Sequence, residues 1–348
     1  MSKRKSNPRL SLALVAFFFI FLIMAILFSS STLAPTSSPD LSPTTTFPSN
    51  SNPNLSQSEY YGFGDFYSWD ASSYPGGWDE LFPQMKDMGV NTFRLAFLFK
   101  DCAQFGMTSA QGSFWDDTQV EALVAKAYSY GMKTVLDLHL IWCPGYLESQ
   151  NWIDNWVNLA SKYKDDPRIA AFEIYNEPYT AVESYTQYQL HERFAECTRA
   201  IHAIDSERKI LWFPTCIVWN GGVKDSDSNS TYVHPQEFLE PNIILNMHHW
   251  NIGSDNPVET QQNALYGIQY MAQLKEQYNR EVIIGETGGA IGEEGTVPNN
   301  YNAYAAQQAY VRTFAVEAPK YGVGVLFWEA NWTWDSIYAE ALDGVTFL

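Results

Sequence analysis

The sequence predicts an α/β protein, a closed (β/α)8 barrel of the TIM type, preceded by one apolar segment and an uncharged linker. Two observations point to the barrel. Short apolar runs recur eight times between residues 60 and 328, and amphipathic patterns with apolar residues at i, i+3 and i+4 separate them. A third observation removes the main competitor, an open doubly wound sheet. That fold should carry a glycine-rich phosphate loop after its first strand. YYGFGDFYSW opens no GxGxxG helix, and no GxxxxGK[ST] occurs anywhere.

At the N-terminus, Lys3, Arg4, Lys5 and Arg9 precede an apolar run at 10–28 that only Ser11 interrupts. As a helix this run would rise about 28 Å, close to the thickness of a bilayer core. The apolar region of a cleaved signal peptide is usually shorter. Thr32 and Ala34 resemble a cleavage pattern, yet Pro35 follows at once. The reading favours a retained membrane anchor, with the basic tail 1–9 in the cytoplasm and the rest on the extracellular face. A cleaved segment would instead give a secreted protein. Residues 29–59 are mostly Ser, Thr, Pro and Asn and predict an extended, solvated stalk. The barrel is expected over 60–348.

The eight runs follow in order. YYGFGDF (60–66) opens the barrel, and TFRLAF (92–97) carries Arg94. KTVLDLH (133–139) ends with Asp137 and His139, and IAAFEIY (169–175) runs into Asn176 and Glu177. KILWFP (209–214) has no polar tip. NIILNMH (242–248) delivers His248, His249 and Trp250. EVIIGE (281–286) ends on Glu286, and GVGVLFW (322–328) ends on Trp328. The clearest helix is DDTQVEALVAKAYSYG (116–131), which Asp116 or Asp117 can cap and Gly131 can end in a left-handed turn. DMGVNTF and KYGVGVL repeat that helix–Gly–strand junction.

Lys plus Arg number 21 against 39 Asp plus Glu, a net charge of −18. Such a surface repels nucleic acid and anionic lipid and tolerates neutral substrates. Outside the cell, Cys102, Cys143, Cys197 and Cys216 have three possible disulfide pairings. Cys102 and Cys143 each follow a predicted strand closely, so they are the first expected pair. Asn54, Asn229 and Asn331 sit in N-x-Ser/Thr sequons.

Barrel chemistry sits where strands end and βα loops begin. Glu177 and Glu286 end the fourth and seventh runs, so they should face each other across the mouth. Two opposed carboxylates are the parts needed for glycoside hydrolysis. A nearby cation such as Arg94 favours the charged form of one, while burial beside a negative partner pushes the other upward. A lone Glu at a strand end is usually solvated, and a lone strand His is usually a satisfied core residue. The combination at matching tips overturns both readings. Glu173 and Asp137, deeper in their strands, read as structural ion pairs on the barrel floor.

NTFRLAF, VLDLH, WVNLASKYKDDPRIAAFEIYNEP, NMHHW, IGETG and GVGVLFWEA together resemble glycoside hydrolase family 5, the cellulase-like barrels of retaining hydrolase clan A, over roughly residues 60–340. The resemblance implies Glu177 as acid/base and Glu286 as nucleophile. It implies supporting roles for Arg94, His139, Asn176 and His248, with Trp328 under the sugar at the cleavage point. One position departs: the family usually has His-x-Tyr on the sixth strand, and here Trp250 stands in place of the tyrosine. An indole N–H can donate to the nucleophile but cannot accept.

The chain holds twelve Trp, and pyranose faces stack on flat aromatic rings. Trp142, Trp219, Trp250, Trp328, Trp332 and Trp334 fall on or near βα loops and are candidate sugar platforms. Trp152 and Trp156 recur at helical spacing and should pack against the barrel. The expected substrate is a neutral β-linked polysaccharide such as cellulose or mannan, with endo-β-1,4-glucanase first and β-mannanase second. No cofactor or metal is expected. A metal hydrolase built on Asp137, His139, His248 and His249 would need both adjacent histidines to face one side of a strand, which the pleat forbids. A carbohydrate-binding surface protein on a decayed barrel should have lost one Glu. A glycolipid hydrolase would need apolar loops where TGGAIGEEGTVPNN is polar.

Overall fold

Residues 58–66, 77–109, 112–140, 143–178, 187–213, 218–219, 222–223, 240–251, 256–289, 301–328 and 341–347 are described by a computed structural model. The expected anchor at 10–28, the stalk up to residue 57, Trp69, Trp142, Trp332, Trp334, Cys216 and the three sequons lie outside them, and Trp219 is described in its backbone alone. Among the described residues no helix is long and apolar enough to cross a membrane.

Eight parallel strands close on themselves: β1 (Tyr61–Phe66), β2 (Thr92–Phe97), β3 (Lys133–Leu138), β4 (Ile169–Glu173), β5 (Lys209–Trp212), β8 (Ile243–Asn251), β9 (Glu281–Gly289) and β10 (Gly324–Trp328). Pairing of β5 with β8 completes the ring. Two short strands, β6 (Val218–Trp219) and β7 (Gly222–Val223), form an antiparallel flap whose β6 edge pairs with His249 and Trp250 of β8. The helices are α1 (Trp78–Asp87), α2 (Asp117–Ser129), α3 (Pro144–Glu148), α4 (Gln150–Lys162), α5 (Gln187–His202), α6 (Pro257–Tyr278) and α7 (Tyr301–Glu317).

The local signals act as expected. Asp116 accepts from the backbone N–H groups of Thr118 and Gln119 at the start of α2, and Gly131 turns the chain out of it at φ 86°. The strands are buried on both faces, so they read as continuous apolar runs. Inside the cylinder, Tyr60, Val135, Ala171, Leu211, Ile244, Ile283 and Leu326 fill one apolar storey. Between cylinder and helices lies the larger core, where Trp152 and Trp156 are fully buried. Burying a large apolar side chain contributes on the order of 2–3 kcal/mol.

Both of these indoles also donate to one acceptor, the carbonyl of Ile174, at 2.9 and 3.1 Å. The two rings thus hold the chain just beyond β4. There the structure departs from the expected strand, which stops at Glu173 rather than running on through 175. Asn176 and Glu177 sit on the irregular segment that follows, with Glu177 at φ 39°. A left-handed non-glycine residue is held by its surroundings at a cost of about 1–3 kcal/mol, and such residues cluster at functional sites.

β9 contains a second irregularity. Met247 pairs with Ile284 but His248 pairs with Glu286, and on the other side Val325 pairs with Ile284 but Phe327 with Thr287. The β8 pairing therefore skips Gly285, and the β10 pairing gains one residue over the same stretch, so an inserted residue forms a bulge there.

The expected Cys102–Cys143 disulfide is corrected: both thiols are free and buried, as is Cys197. Cys143 donates weakly to the carbonyl of Phe105 at 3.9 Å, while Cys102 sits in the 3-10 turn Lys100–Phe105. Burial pushes the Cys102 and Cys143 thiols up, away from the reactive thiolate form.

Candidate active site

Residues paired across a parallel ladder share a face, so the register fixes what points into the barrel. Arg94 pairs with Gly64 on one side and Val135 on the other, and Val135 belongs to the apolar storey inside the barrel, so Arg94 points inward too. Arg94 is fully buried among three carboxylates. Its Nε and Nη2 donate to the two oxygens of Glu173 at 2.6 and 3.0 Å. Its Nη2 also lies 3.0 Å from Asp137 Oδ2, and its Nη1 donates to Glu286 Oε2 at 2.9 Å. Nη2 reaches Asn176 Oδ1 at 2.9 Å as well. Glu173 and Asp137 are thus structural ion pairs, as their depth in the strands suggested.

The storey above holds the reacting groups. His248 Nδ1 contacts Glu177 Oε1 at 2.8 Å and lies 3.6 Å from Glu286 Oε2, while its Nε2 is 3.7 Å from Glu173 Oε1. One oxygen each of Glu177 and Glu286 and one nitrogen of His248 all lie within 4.8 Å of one another. His139 Nδ1 makes a hydrogen bond with Asp137 Oδ2 at 2.7 Å. The His139 ring stacks on Trp328 with centroids 4.7 Å apart and planes 10° apart. Arg94, His139, Asn176, Glu177, His248, Glu286 and Trp328 therefore converge.

Trp250 is half-buried on β8 opposite Gly288, and among the described residues no hydrogen bond joins it to Glu286. His249 points the other way, onto Tyr310 and Phe314 of α7, as adjacent strand residues must. The four residues of the metal-hydrolase alternative are therefore divided between two faces. Glu177, His248 and Glu286 could offer three ligand atoms, but His248 would first have to give up its proton.

Burial alone would lower the His248 pKa; the carboxylates of Glu286, Glu173 and Glu177 outweigh it and raise it to about 9, so the ring is a cation at neutral pH. Burial would raise Glu173, but Arg94 and His248 bring it down to about 2. Glu286 is raised by burial, with Glu177 adding to the rise and His248 and Arg94 opposing it. This differs from the expectation that the carboxylate touching Arg94 would be the acidified one. The guanidinium is shared among three acids, and its two-pronged contact goes to Glu173.

Three further residues have no counterpart in the sequence reading. Asn246 bridges strands: its Nδ2 donates to Glu173 Oε1 and its Oδ1 accepts from the Gly285 N–H, both at 2.9 Å. Phe213 packs edge-on against His248 at 4.8 Å, and Phe66 edge-on against Trp328 at 5.5 Å. The signal for Asn246 was present: an amide two residues before His248 in an apolar run must face the same interior.

Residues 50–333 match the model of the cellulase family, glycosyl hydrolase family 5. An endoglucanase of Paenibacillus polymyxa is 25% identical over 117 residues, a match spanning 29% of this chain and only 30% of that relative. Among solved structures, endoglucanase Cel5A from Thermotoga maritima superposes with a TM-score of 0.56 at 18% identity, covering 82% of this chain and 97% of that one. Endo-glycoceramidase II from Rhodococcus sp. gives 0.54 at 17% identity, covering 79% and 73%. At such identities the structural likenesses speak for the fold. With a family model spanning most of its length and the convergent tips described above, the chain belongs to glycosyl hydrolase family 5.

Proposed function

We propose that the protein is a retaining β-glycan hydrolase, first an endo-β-1,4-glucanase, with β-1,4-mannan as the alternative substrate. The observation that carries this reading is the approach of Glu177 and Glu286 to within 4.8 Å of one another. Retaining enzymes hold their carboxyl groups about 5–5.5 Å apart, whereas inverting enzymes need about 6.5–9.5 Å to admit a water between.

Glu286 is the nucleophile in this reading. Arg94 and His248 both lie on its Oε2, and among the described residues no hydrogen bond engages Oε1. Oε1 can therefore attack the anomeric carbon while Oε2 stays held. Glu177 gives its proton to the leaving oxygen, then takes one from the water that cleaves the glycosyl-enzyme. The His248 cation beside both acids helps hold Glu286 ionised. Asn176 has its Oδ1 pinned by Arg94, and among the described residues its buried Nδ2 has no hydrogen-bond partner. A buried donor without a partner loses about 1–3 kcal/mol, which a sugar hydroxyl in the cleft would restore. Trp328, backed by His139, provides the flat face under that sugar.

The solved neighbour from Thermotoga maritima has also been determined with mannotriose, so glucan and mannan both belong in the test. The expected placement is a catalytic head carried outside the membrane by residues 10–28 and the stalk. The experiment is a panel of soluble β-glucans and β-mannans, with product sizes and anomeric configuration followed over time. Rapid loss of chain length with a retained anomer supports the reading, and Glu286→Gln should abolish it. Inversion, or unchanged turnover in Glu286→Gln, refutes it. Binding without turnover would instead indicate a carbohydrate-binding surface protein.

A further inference from the structure

The register around β9 poses a geometric problem for the site. Side chains alternate along a strand, and Ile283 points into the apolar storey of the barrel. In an uninterrupted strand Gly285 would be the next inward residue, and Glu286 would face the helices. The extra residue at Gly285 reverses that phase, so that Glu286 pairs with the inward-facing His248. Without the bulge the carboxylate would not reach the mouth.

A bulge leaves backbone groups out of the ladder, and inside a barrel no water compensates them. Here the Gly285 N–H is taken by a side chain, Asn246 Oδ1, at 2.9 Å. The other end of the same amide donates to Glu173 Oε1 at 2.9 Å, and Glu173 in turn grips Arg94. A Cβ on residue 285 would stand 2.3 Å from Asn246 Oδ1, so glycine is what lets the amide come this close. One side chain therefore joins the bulge, the buried acid and the arginine that holds Glu286.

We infer that Asn246 is a positioning residue for Glu286, acting through the Gly285 bulge. It touches no substrate; it fixes the backbone from which the reacting carboxylate projects and ties that backbone to the Arg94 clamp. This rests on the proposed role of Glu286. Displacing a reacting group by about 1 Å can cost on the order of 100-fold in rate.

The test uses Asn246→Ala and Asn246→Asp in the full chain. Covalent trapping by a 2-deoxy-2-fluoro-β-cellobioside with a dinitrophenolate leaving group reads the nucleophile alone, because this aglycone departs without a proton. Asn246→Ala should slow the trapping step about 100-fold while the inhibitor's binding constant stays near that of the parent chain. In Asn246→Asp the introduced carboxyl accepts from the Gly285 N–H, but donates to Glu173 only when protonated. Its trapping rate relative to the parent chain should therefore climb as pH falls, a response that a merely structural role would not produce. Should Asn246→Ala fail to fold, that pH-dependent ratio decides. Unchanged trapping, parallel loss of binding and trapping, or a flat ratio in Asn246→Asp overturns the inference. A crystal structure of either variant decides independently of turnover, even if the parent chain cleaves no β-glycoside. The 2.9 Å contact of Arg94 Nη1 with Glu286 Oε2 should be broken or lengthened in Asn246→Ala, and its survival there overturns the positioning role.

Discussion

Neutralising His248 should change how stability depends on pH, and the size follows from its surroundings. The ring is fully buried with three carboxylates around it, and its pKa is raised from 6.5 to about 9. That rise corresponds to about 3 kcal/mol of preferential stabilisation of the folded state. For a group whose folded pKa is raised, the contribution is complete below the unfolded value and fades as pH climbs through the folded one. It is therefore fully present below pH 6.5 and gone above about pH 9. His248→Gln removes the titration and keeps a polar side chain of similar size. The assay is urea unfolding of both proteins, followed by tryptophan fluorescence from about pH 6 to about pH 10. Lysines, tyrosines and thiols titrate alike in both, so the difference between the two curves isolates His248. That difference should shrink by about 3 kcal/mol across the window. A difference that stays level with pH would refute the claim that the three carboxylates hold the ring as a cation.

Other outcomes follow from the same contacts. Arg94→Met leaves Asp137, Glu173 and Glu286 buried without their shared cation and should destabilise the barrel by about 3–5 kcal/mol, read as a lowered urea midpoint. Because Glu286 is raised by burial, kcat/KM should fall on the acid side at a pH above 4.5, the ordinary value for a glutamate, and a limb below that value would contradict the shift. Trp152→Phe and Trp156→Phe each remove one donor from the Ile174 carbonyl, at about 1 kcal/mol apiece. The double variant should lose more activity than the two singles predict, because only then is the segment bearing Glu177 unrestrained; additive kinetics would argue otherwise.

Much of this site could be read in the sequence because its strands are buried on both faces. Such strands stand out as apolar runs, and a polar residue at their tips is conspicuous. Glu177, Glu286, His248 and Arg94 were visible for that reason. The Gly285 bulge was not, since an apolar run without alternation carries no phase, and one extra residue in EVIIGE leaves no trace. Nor does a sequence announce that two indoles share the carbonyl of Ile174, because a backbone acceptor belongs to no residue type. The Cys102–Cys143 expectation failed because closeness after two neighbouring strands says nothing about where a thiol points. That Arg94 serves three carboxylates at once was also hidden, because a sequence shows a cation on a strand but not how many acids converge on it.

The contact between Arg94 and Glu286 joins residues 192 positions apart along the chain. A half-wound intermediate ending after β5 would hold Asp137, Glu173 and Glu177 beside Arg94 before His248 had arrived. Charge thus opposes any stable open sheet and rewards the last seam, where β8 and β9 complete the wall. Catalytic competence in this molecule should be an all-or-none property of assembly, appearing only once the cylinder has shut.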